Sequence, residues 1–564
     1  MGKRDRYGSD SNIIKRLKIP MKNIFILALA LITSSLSAQV LSDKEGEYTE
    51  ADSLRGSLRP ERAYDVQKYH LKLKVEPGKK YISGSNTISF RTEEELPTIQ
   101  IDLFENMKVD SIVHRGINLP YTRKHNAVFV DFEDSLEENS LATIQFYYSG
   151  HPIIAENAPW DGGFVWDEDE DGNPWVGVAV QGTGASLWYP NKDHQSDEPE
   201  EVQLDIAVPN GLMNVSNGQF IGEKDLGNGF TQWSWKTVNP INNYNVMINI
   251  ANYEHFSDSY KDLQLDYYVL PYNLEKAKKQ FEEVKPMMDC FYEKFGEYPF
   301  VEDGFKLVET PYLGMEHQSA VAYGNEYMMG YLGNDLSGTG IGLKWDFIII
   351  HESGHEWYGN SITANDIADM WIHEGFTSYS EAVYIECRWG KEEALEYLKG
   401  TRRGIGNSKP IIGDYGVNSE GSGDMYPKGA NLLNTIRSIY DDDDLWWKTL
   451  KDYTETYKHQ TIDTEQTEAF FNETVEVDLQ PVFDQYLRHS QLPQLQLKRE
   501  NGKIGYRWQA DVEQFAMPVD IFIHETEKRI FPTENWQFFD SEVEDLDDLR
   551  VNDLEFYIDS SFME

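Results

Sequence analysis

Apolar and polar positions alternate along the first part of the chain. In YDVQKYHLKLKVEP, Tyr69, Leu71, Leu73 and Val75 fall on one face, and ISGSNTISF continues the same two-residue rhythm. That rhythm predicts an N-terminal β domain over residues 60–255. Near Asn273 the pattern changes. NLEKAKKQFEEVKPMMDCFYEKFGEYPF reads as a helix running into a proline-containing turn, and helical periodicity then dominates, giving a mainly helical domain over 256–490. Alternation returns with Leu495 and Leu497, an Asn501-Gly502 turn, then Ile504, Tyr506 and Trp508, which describe a hairpin inside a small C-terminal β domain over 491–564. The fold class expected is multidomain α+β, with neither internal repeat nor low-complexity linker.

Composition narrows the partners. The 564 residues are too many for one core. Against 51 Lys and Arg stand 96 Asp and Glu, and the formal charge of −45 repels nucleic acid and anionic membranes, which argues for a soluble protein. At the N-terminus, Met21-Lys22-Asn23 precedes the apolar run IFILALALI and then TSSLSAQ, the layout of a secretory signal peptide ending near Ala38. Residues 1–20 read as an over-extended start, with Met21 the better initiator. The run is too short to span a bilayer, so the mature chain is expected to lack an integral membrane segment and to be exported, periplasmic or secreted. The two cysteines, Cys290 and Cys387, both in helical segments, read as buried free thiols rather than a disulfide.

Candidate chemistry centres on HESGHEWYGN at 351–360. The apolar run Phe347 to Ile350 leads into His351, so a buried helix would place His351 and His355 one turn apart on one face, where two imidazoles can hold one ion. Glu352 stands beside them as a base for a water. Catalytic zinc keeps three protein ligands and one open position. Glu374, in MWIHEGFTSYSEAVYIE, supplies the third, and Glu381 lies on the same face to orient a ligand histidine. His373 competes by chemistry but points about 100° away from Glu374. WDEDEDGNPW at 166–175 begins like a calcium loop, yet Val178 stands where a bidentate Glu is required, so it reads as an acidic turn; DDDD at 441–444 reads as an acidic helix start.

With H-E-x-x-H, eighteen residues and then Glu, W-x-G-N after the second histidine and EGF at the third ligand, the chain resembles the aminopeptidase N and leukotriene hydrolase family of zinc gluzincins. GMEH at 314–317 is similar to the family's G-x-M-E-N strand. The resemblance implies that Glu316 binds a free α-amino group, with Gly314 and Met315 beside the substrate. YPKGA at 426–430 resembles the Tyr-x-KG segment, which implies that Tyr426 stabilises the tetrahedral transition state. Gln181, in QGTGASLWYP, matches the glutamine lining the pocket for the first residue. From the residues alone, Glu316 could be an ordinary strand residue and Tyr426 a helix-start aromatic.

The resemblance, covering about residues 60–490, implies a β-sandwich-like N-terminal domain, a thermolysin-like catalytic domain and one Zn²⁺ per chain. It implies an aminopeptidase acting on peptides with a free N-terminus. His317, His373 and Glu356 depart from the family's Asn, Asn and Gln and flank the chemistry without removing it. The short C-terminal domain implies a more open cleft than in relatives with a long helical one. A thermolysin-type zinc endopeptidase and a noncatalytic peptide-binding protein on this scaffold are the alternatives. The first residue preferred, the oligomeric state and the role of the C-terminal domain are not legible.

Overall fold

A computed structural model describes residues 48–540 and 548–563. The signal-peptide segment lies outside them.

The predicted first strand runs Tyr64–Glu76, and Tyr69, Leu71, Leu73 and Val75 are all buried. A bulge between Val66 and Lys68 lets Tyr64 and Val66 join that face, because one extra residue reverses the alternation. The strand lies inside an eight-stranded sheet, antiparallel to Tyr81–Thr92 and parallel to Glu201–Pro209. A three-stranded and a four-stranded sheet complete this β-rich part, and one apolar cluster joins residues of all three sheets.

Beyond it stands a five-stranded sheet that the helical reading of residues 256–330 did not contain. Phe305–Glu309 is buried at every position, so it shows no alternation to read. Gly314–Met315 forms the edge of this sheet, paired on one side only with Val321–Tyr323. This edge strand packs against the helix Phe347–Gly354, which is followed by the helices Trp371–Trp389 and Pro427–Tyr440.

Cys290 and Cys387 are joined in a disulfide, which corrects the free-thiol expectation. Packing of the helices Val284–Lys294 and Trp371–Trp389 brings together thiols that lie 97 residues apart in sequence, a proximity no local pattern encodes. At the C-terminal end, Gln494–Glu500 and Lys503–Gln509 form the expected hairpin, with Asn501 and Gly502 at φ 54° and 77°. That is the doubly left-handed turn an Asn-Gly pair favours. This β unit shares one continuous apolar core with the helices. Among the described residues no helix is long and apolar enough to cross a membrane.

Candidate metal centre

The helix Phe347–Gly354 begins at Asp346, whose carboxylate accepts from the amides of Ile348 and Ile349 at 3.1 and 3.3 Å. This cap satisfies amides that would otherwise be buried without partners. The helix is only eight residues long, so His355 is its C-terminal boundary residue, its amide 3.4 Å from the His351 carbonyl. The imidazoles stand 5.0 Å apart, and Glu374 enters from the first turn of Trp371–Trp389.

Glu374 Oε2 lies 3.3 Å from His355 Nε2 and 3.7 Å from His351 Nε2, and ligand atoms of the three residues lie within 4.8 Å of one another. Their remaining nitrogens are held from behind. His351 Nδ1 donates to Glu381 Oε1 at 2.7 Å, while Tyr397 donates its hydroxyl hydrogen to Glu381 Oε2 at 2.6 Å. His355 Nδ1 donates to the Tyr358 carbonyl at 3.0 Å. Each Nε2 is thereby left with its lone pair toward Glu374, the tautomer a metal-binding imidazole needs. Glu374 Oε2 is buried without a hydrogen-bond partner. Two imidazole nitrogens and an orphaned carboxylate oxygen at one point fit a zinc ion.

A second convergence shares His355: Glu316, Glu352 and His355 also present oxygens and nitrogen within 4.8 Å. Burial pushes the Glu352 carboxyl up to about 7, with the Glu316 charge adding and His351 opposing. Gly314 permits the approach, since a β-carbon there would lie 2.8 Å from Glu352 Oε1. Gln181 donates Nε2–H to Glu316 Oε1 at 2.6 Å and to Glu374 Oε1 at 3.3 Å, bridging the two carboxylates. Asn360, the last residue of HESGHEWYGN, donates to the Glu316 carbonyl at 2.8 Å and so ties the edge strand to the metal helix. Met315 is buried beside it.

Tyr426 immediately precedes Pro427–Tyr440 and stacks on His351 with centroids 6.1 Å apart. Burial and the charges of Glu374, Glu420 and Glu316 push its phenol well above the ordinary value, so it remains a hydrogen-bond donor. Tyr244 was not anticipated from sequence. It is buried, stacks on His373 at 6.4 Å, and the charges of Glu316 and Glu374 act on its phenol. Nothing in NNYNVM marks it as a site residue.

The departures are placed as follows. His373 Nε2 accepts from the Ala364 amide at 2.8 Å and, driven down to about 3 by burial, is a neutral structural ring. His317 is fully buried and likewise pushed to about 3. Glu356 is fully buried and accepts from the Ser319 amide at 2.8 Å. Gly354 makes room for Ser380, whose Oγ would lie 2.5 Å from a β-carbon. Of the acidic runs, Asp169 accepts from the amides of Asp171 and Asn173 at 3.0 and 2.8 Å and closes a hairpin turn, and Asp442 caps Asp443–Thr456.

Residues 272–486 match the family model described as "Peptidase family M1 domain". The chain is 21% identical over 356 residues to a leucyl aminopeptidase of Saccharolobus solfataricus, covering 61% of this chain and 44% of that protein. With a human glutamyl aminopeptidase the identity is 23% over 318 residues, covering 53% and 33%. The chain thus spans less than half the length of either relative. The crystal structure of an M1 zinc metallopeptidase from Deinococcus radiodurans superposes with a TM-score of 0.64 at 18% identity, covering 77% of this chain and 96% of that one. A mutant of that enzyme bound to a Tyr-Ser-Ala substrate superposes with a TM-score of 0.63 at 19% identity, with the same coverage.

Proposed function

From the match of residues 272–486 to the M1 peptidase family model, we propose that this protein is a zinc-dependent aminopeptidase that removes the N-terminal residue of peptides. One observation carries the reading. Glu316, bridged by Gln181 to Glu374, converges on the same point as Glu352 and His355. A buried carboxylate so close to the hydrolytic centre is placed to accept a charge-assisted hydrogen bond from the α-ammonium group of a peptide whose first carbonyl lies at that centre.

His351, His355 and Glu374 would hold the zinc, which when bound supplies Lewis acidity to the scissile carbonyl and the attacking water. Glu352 takes the proton of that water and delivers it to the leaving amine, a role matched by a carboxyl raised toward neutrality by burial. Tyr426 donates its phenolic hydrogen to the oxygen on which charge develops, so its contribution is made in the transition state. Glu316 accepts from the substrate ammonium group, while Gln181, which donates to Glu316, keeps its carboxylate aimed.

Export from the cytoplasm is proposed from the N-terminal apolar run, and the Cys290–Cys387 disulfide supports an oxidising compartment.

The deciding experiment compares a free peptide with its N-acetyl form, with and without chelator. Chelator-sensitive cleavage of the free peptide alone is expected. Equal cleavage of both would make the protein an endopeptidase, and no cleavage with peptide still bound would make it a noncatalytic binder.

A further inference from the structure

From His351, a row of aromatic rings leads along its helix to the loop before it. Phe347 lies nearly parallel to His351, with centroids 5.0 Å apart and planes 15° apart, and Tyr331 meets Phe347 edge-on at 5.3 Å. The Glu352 charge acts on the Tyr331 phenol, so this ring stands near the base. Glu316 converges with Glu352 and His355, and Glu374 with His351 and His355. Phe347 and Tyr331 thus border the metal site, where the residues after the first carbonyl of a peptide held by Glu316 would emerge.

The surface it would meet is apolar. Met328, Met329, Leu332, Leu336 and Leu343 are 37–45% exposed, a concentration of large apolar side chains within sixteen residues that solvent alone would disfavour. Two of them pack on the loop's own glycines: a β-carbon on Gly333 would lie 3.3 Å from Met328 Sδ, and one on Gly330 would lie 3.0 Å from Leu343 Cδ2.

The loop is held in shape by Asn325. Its amide donates to the carbonyls of Met328 and Gly330 at 2.8 and 2.9 Å and to Asp346 Oδ1 at 2.8 Å, while its oxygen accepts from the Leu332 amide at 2.8 Å. Asp346 is also the cap of the metal helix, so loop and catalytic helix share one support. The Asp335 carboxylate is occupied by the amide and hydroxyl of Ser337 at 2.9 and 2.7 Å, Lys344 pairs with Glu393, and Arg403 donates to the carbonyls of Asp335 and Leu336 at 2.8 and 3.0 Å, which fixes the loop further. A surface already ordered loses little conformational freedom when it is covered.

We propose that this loop is the leaving-side subsite and selects peptides whose second and third residues are large and apolar. The inference rests on the aminopeptidase reading and adds to it the class of peptide preferred.

The test uses the zinc-loaded full chain with Ala-Leu-Leu-Gly and Ala-Ser-Ser-Gly. Wild type is expected to favour the leucyl peptide in kcat/KM by about tenfold, the change that partial burial of a leucine side chain supports. Met329→Ser and Leu343→Ser, both exposed positions at which folding should be unaffected, should each cut that ratio about threefold, and the double variant should bring it near one. Cleavage of both peptides at equal kcat/KM by wild type would overturn this proposal alone, as would a ratio unchanged in the double variant. Cleavage of neither would overturn the aminopeptidase reading and this proposal with it.

Discussion

Gly375 and Gly429 meet face to face where Trp371–Trp389 crosses Pro427–Tyr440: a β-carbon on Gly429 would lie 2.7 Å from the Gly375 Cα. Glu374 immediately precedes one glycine, and Tyr426 lies three residues before the other. The crossing therefore sets the position of the phenol relative to Glu374. Gly429→Ala would force the helices apart at a backbone contact, at a cost of about 1–3 kcal/mol. The expected outcome is a lower thermal midpoint together with a fall in kcat larger than the rise in KM. A variant with wild-type kcat would show that the close crossing does not position Tyr426.

Glu352 differs from the metal ligands in what its loss should do. Glu352→Gln keeps the size of the side chain and removes its basicity. Turnover should fall by roughly 10²–10⁴-fold with zinc content by elemental analysis unchanged. Residual activity within a few-fold of wild type would refute the base assignment.

Glu381 acts on the metal only through His351, to which it is hydrogen-bonded at 2.7 Å. Glu381→Ala frees that ring to rotate and makes it less basic. Zinc affinity, measured by chelator competition, should fall about 10–100-fold. Tyr397→Phe, which removes a 2.6 Å donor to the same carboxylate, should act in the same direction and more weakly.

A pH dependence of stability follows from Glu283. Its carboxylate accepts from the Asp346 amide at 2.9 Å and from the Tyr384 hydroxyl at 3.1 Å, and burial pushes its carboxyl from 4.5 up to about 7. Between those values the folded protein holds a proton that the unfolded chain has released. Stability associated with this group is thus full below pH 4.5 and is lost as pH rises through about 7. Glu283→Gln removes the titration. Its thermal midpoint relative to wild type should rise between pH 4.5 and 7 and then level off; a parallel pair of curves across that window would exclude the assignment.

Legibility from sequence tracked how local each feature is. His351 and His355 could be read because a helix puts residues four apart on one face. Glu381 could be read because it shares a helical face with Glu374 seven residues earlier. The Asn501-Gly502 hairpin was legible for a similar reason, as the turn conformation belongs to those two residues. Glu316, Gln181 and Tyr426 became candidates through family resemblance, because no period relates residues on a sheet edge, a loop and a helix start. Tyr244 was missed: a tyrosine in an asparagine-rich turn carries no mark of a destination beside Glu316. The strand Phe305–Glu309, buried on both faces, offered no alternation to distinguish it from a helix.

The sequence by itself therefore determined most of the periodic segments, the helical placement of His351, His355 and Glu374, and the chemistry its residue types can perform. Those depend on backbone geometry that repeats every two or 3.6 residues. Only the tertiary structure decided that Gly314 clears space for Glu352, that Asn360 ties the anchor strand to the metal helix, and that Cys290 meets Cys387. Close packing between segments far apart in the chain made each of these contacts, and such packing follows from the shape of the whole core rather than from any local pattern.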